Sequence, residues 1–184
     1  MTNTKIYRSI LTCLACGALL CTPAFTARRH ARPHARAHAF SAQDFVNTVA
    51  QEQMLQVNLS RMVDTHSANR DVRELSTQIT DQQTADYQDL QKVAKKLNLT
   101  LPQGINKAGN HIIGVQAKLY RQEFDRAFLK EEADSANREA DAFQDAADHA
   151  TDPALKQYAT AQLPKVKLNY EELKDFARYH LNGK

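Results

Sequence analysis

Glu52, Gln56, Gln82, Gln83, Asp86, Glu131, Ser135 and Asn169 come nearest in this chain to a chemical constellation. Each interrupts an otherwise apolar periodic stretch, and antiparallel helices would bring all of them to one level. Carboxylates gathered in this way can hold a divalent cation. Metal-binding bundles of that kind take a glutamate from each of two helices and a Glu-x-x-His pair from each of the other two. No Glu-x-x-His occurs in the sequence. Glutamine and asparagine offer only neutral oxygens, so the spacing favours an amide network that bonds to itself and to water and fixes helix register. A relaxed carboxylate site made of Glu52, Asp86 and Glu131 is the sharper alternative. There is no glycine-rich phosphate loop, no serine elbow and no His-Glu-x-x-His. His66, His111, His149 and His180 are scattered and read as surface or helix-end residues. No catalytic residue, metal ligand or cofactor is assigned from these patterns.

The elements that must position this band are helical. Ser41 is a suitable N-cap, and Phe45, Val49, Leu59 and Val63 follow at helical spacing up to a break between His66 and Asn69. Asn69 can cap a second helix in which Val72, Leu75, Ile79, Leu90, Val93 and Leu97 keep a spacing of three or four that is interrupted near Gln82 to Asp86, and Asn98 closes it. Pro102, Gly104, Gly109 and Gly114 then mark a long connection with at most a short helix over His111 to Tyr120. A third long helix carries Phe124, Phe128, Phe143 and Ala146. Asp152 and Pro153 open a fourth, which presents Leu155, Ala159, Val166, Leu173 and Phe176 and is expected to kink at Pro164. Two helical hairpins joined by one long crossover form a ferritin-like antiparallel four-helix bundle, an all-α fold.

The first 27 residues follow the order of a secretory signal, with Lys5 and Arg8, an apolar run from Ile10 to Leu20, and small residues through Ala27. Cleavage is expected after Ala24 or Ala27. Cys13, Cys16 and Cys21 would leave with the signal, so the mature chain would have no disulfide and no thiol chemistry. Residues 28–40 read RRHARPHARAHAF, a flexible leader too poor in apolar surface to order itself. Its His30, His34 and His38 recur every four residues, but Pro33 opposes the helix that would align them. The formal charge of +3 belongs to these segments. Without the six bases of the first forty residues, the domain over 41–184 has 18 bases against 21 acids and no nucleic-acid signature.

Phe45-Val46 with Ala50, Val57 and Leu59, Leu101-Pro102, Phe124 to Leu129 with Phe143, and Leu163-Pro164 give the chain a resemblance beyond periodicity. In order and spacing it resembles the domain of unknown function 4142 family, exported bacterial proteins often labelled outer-membrane proteins, whose fold is ferritin-like. The resemblance covers roughly Phe45 to His180. It implies a glutamate where this chain has Gln56, Asp-His pairs where it has Gln82-Gln83 and Ser135-Ala136, and a histidine where it has Asn169. With those imidazoles missing, no functional residue carries over.

These readings point to a non-enzymatic, periplasmic or secreted helical-bundle protein that binds an envelope partner or a small ligand, with a link to envelope stress. A degenerate ferritin-like metal-binding protein is the alternative. A third reading gives the function to the leader, through weak contact of its arginines and histidines with anionic envelope surfaces.

Overall fold

The computed structural model describes residues 39–182, and the signal, the three cysteines and the leader histidines lie outside them. The described chain is all-helical. Its elements are α1 (Ala42–His66), α2 (Arg70–Lys96), α3 (Lys107–Gln116), α4 (Gln122–His149) and α5 (Pro153–Asn182). Among the described residues no helix is long and apolar enough to cross a membrane.

Local chemistry sets most of the boundaries. The Ser41 hydroxyl accepts from the Asp44 N–H at 3.2 Å, and the Asn69 side chain caps α2 by accepting from the Asp71 N–H at 2.9 Å. At the far end of α2, Asn98 takes the left-handed conformation with φ of 54°. Leu99 N–H then reaches the Ala94 carbonyl at 2.9 Å and Asn98 N–H reaches that of Lys95 at 3.3 Å, closing the helix by a Schellman motif. Asp152 accepts from the N–H groups of Ala154 and Leu155 at 2.9 and 3.0 Å, so Pro153 stands at the first helical position as expected.

Helix α2 runs unbroken past Gln82 to Asp86, where its apolar spacing is interrupted: Gln83 turns inward to polar partners while the Thr80 and Thr84 hydroxyls bond back to their own helix. One expectation needs correction. The short helix lies earlier than expected, at Lys107–Gln116, because Asn106 caps it by accepting from the Gly109 N–H at 2.8 Å. Gly109 is therefore helical, and it is needed for close approach: a Cβ there would meet Ile105 Cγ2 at 2.6 Å. Helix α5 carries Pro164 in its interior and runs on to Asn182.

Helix α1 packs on α2 and on α4, α4 packs on α5, and α3 lies against α1 and α4. The pairs are antiparallel: Phe45 meets Phe143 edge to face at 5.2 Å, while His66 at the other end of α1 meets Phe124 at 5.0 Å. The core falls into two apolar clusters. One is built around Phe45, Val49, Leu90, Phe143 and Leu155. The other gathers Leu59, Val63, Val72, Phe124, Phe128 and Leu173. Phe40, read from the sequence as the last residue of the leader, packs on the first cluster with its ring 6.5 Å from that of Phe45.

The connection between α2 and α4 is fastened to α1 by two glutamines. Gln43 donates to the Thr100 carbonyl at 2.6 Å and accepts from the Thr100 N–H at 3.0 Å. Gln51 repeats the device, donating to the Gly104 carbonyl at 2.9 Å and accepting from the Asn106 N–H at 2.8 Å. At its end, the Arg121 N–H donates to the His66 carbonyl at 2.6 Å.

Candidate functional site: a buried polar layer

Between the two apolar clusters lies a layer of amides and carboxyls. Gln53 and Gln56 of α1, Gln83 of α2, and Ser135 and Glu139 of α4 are all buried. Glu139 is its centre. Gln53 donates an amide hydrogen to Glu139 Oε1 at 2.9 Å, while Gln83 and Gln56 approach Oε2 with longer bonds of 3.4 and 3.5 Å. Gln83 also donates to Gln56 Oε1 at 2.9 Å, and Gln56 to the Ser135 hydroxyl at 3.3 Å. Burial pushes the Glu139 carboxyl up to about 7; the amides of Gln53 and Gln83 pull against that rise, and the negative charges of Asp86 and Glu52 add to it.

A second group stands at the edge of the layer, where α1 faces α4. Arg138 binds Glu52 through a two-pronged contact at 2.9 Å and reaches Glu131 at 2.8 Å, and Ser135 donates to Glu52 at 2.6 Å. The hydrogen bond to Glu52, opposed by partial burial and aided by Glu131, raises the guanidinium pKa above its ordinary value. Farther along α4, Glu132 is fully buried, and neither carboxyl oxygen has a partner. Burial, reinforced by the charges of Glu131 and Glu52, pushes its carboxyl well above the usual carboxylate range.

The residues expected at mid-level are thus divided. Gln56, Gln83 and Ser135 meet in the interior, and Glu52 and Glu131 meet through Arg138. Asp86 turns to Lys165 of α5. Gln82 and Asn169 line a cleft between α2 and α5, beside Ile79, Leu173 and Phe176. The relaxed site of Glu52, Asp86 and Glu131 is not assembled. A cation already bridges Glu52 and Glu131, and it is the protein's own guanidinium. The residues present do not fit a transition metal: amides stand at Gln56 and Gln83, and Ala136 offers no ligand atom. Among the described residues no group of three or more histidine, cysteine, aspartate or glutamate side chains is placed to hold a metal ion.

Gln53, Glu132, Arg138 and Glu139 were not singled out from the sequence. A signal for the two carboxyls existed: Phe128, Glu132, Ser135, Glu139 and Phe143 follow one another by four, three, four and four residues, the inward stripe of α4. On α1 the inward positions Phe45, Val49, Gln56, Leu59 and Val63 are those read from the sequence, but at the turn between them Gln53 and not Glu52 is the buried residue.

The family model described as a domain of unknown function (DUF4142) matches residues 27–176. No curated protein and no solved structure matches the chain.

Proposed function

Since the chain belongs to the DUF4142 family, whose function is unassigned, we propose that it is an exported envelope protein that acts by binding a ligand or partner and not by catalysis. The observation that carries this reading is the engagement of the mid-level carboxylates. Glu139 is engaged by three glutamines, Glu52 and Glu131 by Arg138, and Asp86 by Lys165. A hydrolytic or redox centre needs ligand or proton-transfer groups facing a place for substrate. Groups matched to protein donors in this way serve to fix helix register and side-chain orientation.

The same proposal takes the fold as ferritin-like: four long antiparallel helices in two hairpins, with the connection bearing α3 as the crossover. Export rests on Lys5 and Arg8 before the apolar run, and it makes the periplasm or the exterior the place of action.

Purification of untagged protein from the envelope fraction, followed by intact-mass and elemental analysis, tests the reading. A mature chain starting at Phe25 or Arg28, with iron, manganese and zinc far below one equivalent, is expected. A mass that retains Met1 to Ala24 would overturn export. Near-stoichiometric metal would replace the binding reading with that of a degenerate ferritin-like metal protein.

A further inference from the structure

The layer touches the surface in a groove of about 360 Å³ between α1 and α2. Gln53 and Gln83 form part of its wall, and both are 1 % exposed. Their amide nitrogens are drawn inward, toward Glu139 and Gln56. Their carbonyl oxygens have no donor in the protein and are closed to solvent just inside the groove wall, so a ligand reaches them as the groove side chains move apart. A buried acceptor left without a donor is destabilising, by about 1–3 kcal/mol in general, and such an orphan calls for an occupant.

Two further side chains of the groove are committed in the same sense. Asn58 donates its amide to the Met54 carbonyl at 2.7 Å, and Thr84 donates its hydroxyl to the Thr80 carbonyl at 2.6 Å. Both keep oxygen lone pairs free to accept. The groove therefore presents acceptors from both helices, while Arg61, Gln88 and Gln91 bring donors to its lining, so it calls for a ligand whose groups both donate and accept, as hydroxyls do. No carboxylate lines it and Arg61 does, which disfavours a cationic ligand. A purely apolar ligand would leave the acceptors unmatched. Half-buried Tyr87 adds a ring face against which the C–H surface of a saturated ring can pack. The volume lies near the lower end of the roughly 300–1,000 Å³ common for small-ligand sites, and suits one or two sugar rings.

We propose that the α1/α2 groove binds a neutral polyhydroxylated ligand, a sugar unit whose hydroxyls donate to Gln53 and Gln83 while its ring packs on Tyr87. Glu139 acts as a positioning residue: by holding the two amide nitrogens inward, it leaves the carbonyl oxygens for the ligand. This inference rests on the reading of the chain as a binding protein.

The test is a titration of the ¹⁵N-labelled mature protein, followed through backbone and glutamine side-chain amide signals. Glucose, maltose and N-acetylglucosamine are the probes, with spermidine and inorganic phosphate as cationic and anionic controls. At least one sugar is expected to give saturable shifts at the Gln53 and Gln83 amides. Asn58→Ala, nearer the surface than the buried glutamines, is expected to weaken that sugar tenfold or more at an unchanged melting temperature. Tyr87→Leu, which keeps apolar bulk against the core but removes the flat ring, is expected to weaken it as well while the free protein keeps its backbone amide spectrum away from the groove. Glu139→Gln is expected to weaken it too, with the Gln53 and Gln83 side-chain signals already displaced in the free protein. Saturation by spermidine or phosphate alone, or sugar shifts located away from the groove, would overturn the proposal. Failure of all three sugars to shift the Gln53 and Gln83 amides would do the same. In those cases a processed, metal-free mature chain would leave the broader binding reading standing.

Discussion

Glu139 and Glu132 are two carboxyls on one face of the same helix, both out of reach of solvent, and their surroundings are opposite. Three glutamines turn amide hydrogens toward Glu139, whereas neither oxygen of Glu132 has a partner. Burial raises both, but at Glu139, near 7, the amides of Gln53 and Gln83 pull against the rise, whereas at Glu132 the charges of Glu131 and Glu52 only add to it. The contrast teaches that depth alone does not decide what a buried acid does. The donors packed around it decide whether it can carry charge, and the Glu139 level has been given donors while the Glu132 level has not.

The strongest way to probe the apolar level is Phe128→Ala, one helical turn before Glu132. Phe128 is fully buried, and its truncation is expected to destabilise by about 3–5 kcal/mol in urea or guanidinium denaturation. A change under about 0.5 kcal/mol would place that face of α4 at the surface and dissolve the comparison.

The next effect is the pH dependence of the Glu139 level. Its carboxyl rises from an ordinary 4.5 to about 7 in the folded chain, so between those values the folded state binds the proton more tightly than the unfolded state. The contribution of Glu139 to stability is therefore greatest below 4.5, falls as pH rises toward 7, and levels off above it. The full span is on the order of 3 kcal/mol, at about 1.36 kcal/mol per pH unit between the two values. Wild type minus Glu139→Gln, measured by denaturation at a series of pH values, isolates this contribution. A difference that does not vary with pH would show Glu139 to titrate alike in both states.

At the bare level, Glu132→Met removes an unmatched polar group while keeping much of its volume. A gain of about 1–3 kcal/mol is expected from denaturation midpoints at neutral pH. A loss would reveal a partner for Glu132 and make the two levels alike. The smallest effect is expected at Lys165→Met, because that lysine is 48 % exposed where it meets Asp86. Less than about 1 kcal/mol should be lost there. A larger loss would shift weight from the interior of the layer to its rim.

Much of the fold was legible because its signals are local. Ser41, Asn69 and the Asp152-Pro153 pair stop and start helices through bonds to their own neighbours, and Phe45, Val49, Val63 and Phe128 mark their faces by spacing alone. The interruption of the apolar stripe of α2 was legible but not its meaning, because Gln82, Gln83 and Asp86 are polar for three different surroundings that only tertiary packing distinguishes. The site was legible in kind but not in membership. An amide network could be read from composition, but Glu52 and Gln53 are neighbours in sequence, and which of them enters the core depends on helix rotation. Arg138 was invisible because its role exists only once Glu52 and Glu131 face it across two helices.

Gln43 and Gln51 each give the connecting chain the paired donor and acceptor that a neighbouring strand would supply. The backbone around Thr100 to Asn106, non-helical as it is, should therefore exchange its amide hydrogens slowly at Thr100 and Asn106, the two N–H groups those glutamines hold. A protease must pull an extended segment free before it can cut, so cleavage of the native protein in this stretch would report the release of two side chains on α1. Native-state proteolysis thus becomes a measure of how firmly a helix holds a loop it does not adjoin in sequence.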